Sequence, residues 1–135
     1  AAPKPPPVFG GWSPGKTFTF TVDTKLSSAN QMGQILPSVP VPKGIPDLAV
    51  GQQVTFTIGK KGELIGPGFK IAFQADGGTS NAYINKPKKG SPPVAAIVFK
   101  NPTTGEPLNV ALNFYSFKMT NRIPTINSVT YTLNP

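Results

Sequence analysis

Residues Gly10-Gly11-Trp12-Ser13-Pro14-Gly15-Lys16-Thr17 match the phosphate-loop pattern G-x-x-x-x-G-K-T. That chemistry needs a strand before the loop and a helix after it, so that backbone N–H groups at the helix start face the phosphates. Here Thr17 opens a Thr-Phe alternation that reads as a strand, and Pro14 removes one N–H donor from the loop. The inner run Gly11-Trp12-Ser13-Pro14-Gly15 also matches the nucleophile-elbow pattern G-x-S-x-G. That motif needs a strand-to-helix turn and a histidine to take the serine proton, and the chain contains no His. Ser13 with Lys16 makes an S-x-x-K spacing, which converges on one face only in a helix. All three matches are read as a plain turn before a strand.

Carboxylates offer the remaining acid–base chemistry. Glycoside hydrolysis needs a pair held about 5–10 Å apart, and a calcium site needs several oxygens on one loop. The chain has Asp23, Asp47, Glu63, Asp76 and Glu106, all in or beside turn-forming sequence. Solvated turn acids are the simpler reading. With no Cys and no His, neither a disulfide nor a thiolate or imidazole zinc site can form. The expectation is a non-catalytic chain with no cofactor and no metal.

Binding chemistry rests on charge. Thirteen Lys and Arg against five Asp and Glu give a net charge of +8, which attracts polyanions. Lys60 and Lys61 share one turn, and Lys86, Lys88 and Lys89 another. If the two turns met at one end of the fold they would form a basic rim, with Tyr83 available to stack on a ligand. A single arginine, Arg122, argues against base-specific nucleic-acid recognition, which favours the guanidinium fork. Acidic polysaccharide or an anionic surface suits the lysine excess better.

The elements that must position these residues are strands. Seventeen prolines and fourteen glycines exclude long helices. Lys16 to Asp23 places Phe18, Phe20 and Val22 on one face and threonines on the other. Gln53 to Ile58 repeats that design. Phe69 to Gln74 and Thr79 to Ile84 flank the turn Asp76-Gly77-Gly78 as a hairpin. Val94 to Lys100 is a nearly continuous apolar run and reads as a two-sided central strand. Leu108 to Lys118 changes its apolar face near Phe114, which suggests a bulge or a second packing surface. Ser128 to Leu133 closes the chain. One short helix is expected near 28–36, because Ser28 and Gln31 fit a capping box and Pro37 would end it.

About seven strands predict an all-β fold, an antiparallel sandwich of immunoglobulin-like or jelly-roll-like form, with a small β-barrel as the alternative. Residues 1–15 read as a proline-rich arm and 16–135 as one domain. Val8, Phe9 and Trp12 would anchor the arm on its own domain or on a neighbouring copy. The start Ala1-Ala2-Pro3 suggests a mature end after signal-peptide removal, hence a secreted, extracellular or periplasmic protein. No apolar run is long enough for a transmembrane helix. The expected function is a secreted, non-catalytic binding module for glycans or other polyanionic surfaces. The alternatives are a structural subunit of an extracellular fibre, coat or matrix, self-assembled through the arm or sheet edges, and a small carboxylate-dependent glycan-active enzyme.

Overall fold

The computed structural model describes residues 7–86 and 93–135, the side chain of Thr120 excepted. Lys88 and Lys89 lie outside the described residues. The strands are β1 (Thr17–Gln31), β2 (Gln34–Pro37), β3 (Gln53–Ile58), β4 (Leu64–Gly66), β5 (Phe69–Ile71), β6 (Phe73–Asp76), β7 (Ser80–Asn85), β8 (Val94–Lys100), β9 (Pro107–Thr120) and β10 (Ile123–Asn134). No helix occurs among the described residues.

The strands form one antiparallel sheet in the order β5-β4-β3-β1-β10-β9-β8-β7-β6, with β2 added beside β1. One sheet curls almost into a barrel, where the sandwich expectation had two packed sheets. β5 and β6 are separated by Ala72 alone, so one chain segment serves both ends of the sheet. Among the described residues, closure there uses the backbone bond from Ile84 N–H to Ala72 O at 2.9 Å. The Asn85 amide completes it, accepting from Ala72 N–H at 2.9 Å and donating to Lys70 O at 2.7 Å.

Alternation fills the barrel. Phe20, Val22, Val54, Phe56, Ile58, Val98, Leu112, Val129, Tyr131 and Leu133 are buried in one cluster, with Phe18 and Phe73 packed against it. The loop between β2 and β3 covers one end and buries Ile45 and Leu48. Tyr131 ties that loop down, its hydroxyl donating to Pro46 O at 2.8 Å and accepting from Leu48 N–H at 3.1 Å. The segment before β1 covers the other end. Trp12 is buried there and donates its indole N–H to Gly105 O at 2.7 Å.

Two expectations require correction, and a third is decided between its alternatives. Residues 28–36 are the end of β1, a turn and β2. Met32 and Gly33 both take positive φ, 50° and 84°, the conformation of a tight two-residue hairpin turn. β8 is one-sided: Val94, Ala96 and Val98 point in, while Ile97 and Phe99 are exposed on the outer face. β9 has no bulge near Phe114; its pairing with β10 runs unbroken from Val110 to Thr120. The change of apolar face there has another cause, a second surface.

Candidate functional site

That second surface lies where β1, β9 and β10 outrun the barrel. β1 continues to Gln31 and pairs with β2 on one side and β10 on the other, while β10 pairs with β9. The result is a projecting sheet in the order β2-β1-β10-β9. Two tight turns finish it at the same end, Met32-Gly33 and Asn121-Arg122, the latter with φ of 51° and 64°. Asn30 Oδ1 accepts from Gly33 N–H at 3.0 Å and braces the first turn.

A shift of register between Val22 and Thr24 decides which side chains face out. The extra residue turns Lys25, Ser27, Ala29 and Gln31 onto the face of Val129 and Tyr131. Leu26 therefore points away from the barrel interior, across from Thr130. On the same outer face, Ile35 lies opposite Asn30, Asn30 opposite Ile126, and Ile126 opposite Phe117. Met119 faces Pro124 on one side of this row, and Tyr115 faces Ser128 on the other. Leu26, Ile35 and Phe117 are 66–67% exposed, and Tyr115, Met119 and Ile126 are also exposed. The opposite face carries mostly small or polar residues, Ser27, Ala29, Gln31, Ser116, Thr125 and Asn127, with Leu36 exposed opposite Ala29. Grouped exposed apolar side chains on one face of a sheet make it the candidate contact surface.

The chain segments that build it carry charge of one sign. No Asp or Glu occurs from Thr24 to Pro46 or from Pro107 to Pro135. Lys118 sits on β9, at the edge of the projecting sheet, and Arg122 sits at its tip, both exposed. Lys25 is engaged by Asp47 of the covering loop, and that hydrogen bond raises its pKa.

The residues expected to bind from sequence are dispersed. Lys60 and Lys61 follow β3 at the barrel end closed by Trp12: Ile58 bonds to Gly15 and Lys16, and Gly62 lies against Phe9. Lys86 follows β7 at the opposite end, next to Asn85, which pairs with Val94. Lys60, Lys61 and Lys86 are exposed, but the described lysines lie at opposite ends of the barrel. Tyr83 points into the barrel, packs on Phe73 at 5.8 Å and is 1% exposed, so its ring offers no surface to an outside ligand. Phe9 packs on Phe73 at 5.9 Å, Trp12 is buried in its own domain, and Val8 is exposed.

Sequence reasoning missed a polar cluster beneath the Trp12 end. Lys100, 7% exposed, donates to Gly10 O at 2.7 Å and pairs with Asp76 at 2.9 Å. Buried Asn81 also donates to Gly10 O, at 3.0 Å. Gly10 has a φ of 60°, and a Cβ there would lie 2.3 Å from the Asn81 amide, so only glycine fits. The Lys100 hydrogen bond, helped by Gly78 N–H, holds the Asp76 carboxyl below the usual carboxylate range. Of the other carboxylates, Glu63 bonds its own loop and Lys70. No group of three or more potential metal ligands occurs among the described residues, and no helix is long and apolar enough to cross a membrane. No family model, curated protein or solved structure matches the chain.

Proposed function

We propose that the chain is a non-catalytic module that binds a polyanionic surface and that the projecting sheet is its contact. One observation carries this reading: the exposed face made by Leu26, Ile35, Tyr115, Phe117, Met119 and Ile126 lies in chain segments free of carboxylates and bordered by Lys118 and Arg122. Such a region attracts polyanions without local repulsion. The separation of Lys60 and Lys61 from Lys86 moves the reading away from a lysine rim and onto this sheet. Chromatography on immobilised heparin tests it. Retention should fall steeply between about 50 and about 200 mM salt. Lys118→Gln with Arg122→Gln should elute earlier than the parent, and earlier than Lys60→Gln with Lys61→Gln. If the two double variants elute together, the sheet is not the polyanion contact.

A structural subunit assembled through the same sheet is the second reading. It is favoured by the outer side of residues 116–120 in β9, with which no described residue pairs. Size-exclusion chromatography over a range of concentrations separates the two. A stable oligomer dispersed by Phe117→Ser would support assembly.

A further inference from the structure

We infer that the polyanion is an anionic lipid surface, met by the outer face of the projecting sheet lying along it; this rests on the polyanion reading above. A soluble acidic polymer satisfies Lys118 and Arg122 but leaves Leu26, Ile35, Ile126, Phe117 and Met119 in water. A lipid headgroup layer takes both parts. Apolar side chains enter the boundary between headgroups and acyl chains, and cations at the margin meet lipid phosphates and carboxylates.

The placement of the groups fits that arrangement. The apolar side chains lie on one face by register, whereas Arg122 is at the tip and Lys118 is on the edge strand, pointing to the other face beside Thr125. A long Lys or Arg side chain reaches around a single sheet layer to a charged surface while its stem covers apolar area. Tyr115 lies on the same face, nearer the barrel, where an aromatic ring with a polar tip suits the interface. The sheet does not span. Its stretch beyond the barrel, from Leu26 to Gln31 in β1 with the partners Thr125 to Thr130 in β10, is shorter than the ~9–11 residues a crossing strand needs. Its inner strands β1 and β10 are paired on both sides, so shallow contact leaves only the outer edges of β2 and β9 with open backbone groups. A second copy is a poorer occupant, because it would bring the same acid-free, basic margin against itself.

The test uses the full chain in co-sedimentation with vesicles of phosphatidylcholine alone or mixed with phosphatidylserine, beside heparin chromatography and size exclusion. The expected result is binding to the phosphatidylserine vesicles, weak or none to phosphatidylcholine alone, and loss with added salt. Phe117→Ser with Ile126→Ser should lower vesicle affinity by at least about tenfold and leave heparin retention unchanged. Leu26→Ser with Met119→Ser, on the same face, should act alike if the first variant folds poorly. Heparin retention without vesicle binding overturns the lipid inference and leaves the polyanion reading standing, as does vesicle binding that ignores both variants or the lipid charge. Loss of both interactions in the parent chain removes both. An oligomer that both variants disperse, with no vesicle binding, assigns the face to self-assembly instead.

Discussion

Tyr131 and Tyr83 are both buried inside the barrel, but only Tyr131 has its hydroxyl engaged. It joins β10 to the covering loop through Pro46 O and Leu48 N–H. Among the described residues the Tyr83 hydroxyl and the nearby Asn81 Oδ1 make no hydrogen bond of ordinary geometry, although the closeness of Asn81 partly offsets the effect of burial on Tyr83. Burial pushes the Tyr83 pKa up to about 12 and raises that of Tyr131, against the opposing bond from Leu48. A raised tyrosine pKa favours the neutral form in the fold. Its contribution is therefore complete below the unfolded value near 10 and is lost as pH rises through the folded one. Tyr131→Phe should cost about 1–2 kcal/mol in urea denaturation at neutral pH, because it strands a carbonyl and an N–H. Tyr83→Phe should be neutral or stabilising at neutral pH, because it removes an unsatisfied hydroxyl, and should blunt the alkaline loss between pH ~10 and ~12. Equal losses from the two variants would refute this account. Tyr83 was legible only in part. Asn81, Tyr83 and the buried side of β7 alternate correctly, but a polar Asn81 at an inward position breaks the apolar pattern, so Tyr83 reads as a surface ring.

At the scale of elements, the clearest strands in the sequence are those with hydroxyl residues on one face. Gln53 to Ile58 coincides with β3, and the Thr-Phe run opens β1. The expected helix failed because Ser28 and Gln31 match a capping box on spacing alone. Positive φ at Met32 and Gly33 ends β1 in a hairpin instead. Methionine is a poor residue for that conformation, whose steric cost asparagine tolerates better. Met32→Asn should therefore stabilise the β1–β2 hairpin by a few tenths to about 1 kcal/mol. The gain is local, so it should show as slower amide exchange where Asn30 and Ile35 pair, with little change in the overall unfolding midpoint. The projecting sheet was legible as an anomaly: Tyr115 and Phe117 lie off the buried face of β9. Its exposure was not, because sequence alone does not show that β8 stops pairing at Phe114.

For the whole molecule, near-closure into a barrel is the feature least visible in the sequence. It depends on two three-residue strands, β4 and β5, and on one side chain, Asn85, spanning the seam. Elements so short carry no usable periodicity. The other whole-molecule feature is the segment before β1, where the sequence shows anchors but not their destination. Trp12 packs on Phe18 at 5.6 Å and is 2% exposed, while Phe9 lies against Phe73 and Gly62. Phe9 and Trp12 also exchange both backbone hydrogen bonds, at 2.9 and 3.1 Å, which folds the segment into a small lid. Beneath it, Gly10 O receives Lys100 and Asn81, so the lid also satisfies two buried donors. Removing residues 1–12 would open the aromatic end of the core and leave a nearly buried ammonium with Asp76 alone. Trp12→Ala should cost about 3–5 kcal/mol, as large-to-small changes in a packed core do. The truncation should cost at least as much, both read by urea denaturation. Val8→Ser, at an exposed site, should change stability by less than about 0.5 kcal/mol. A truncated chain with unaltered stability would show that this segment is an appendage and not a wall of the barrel.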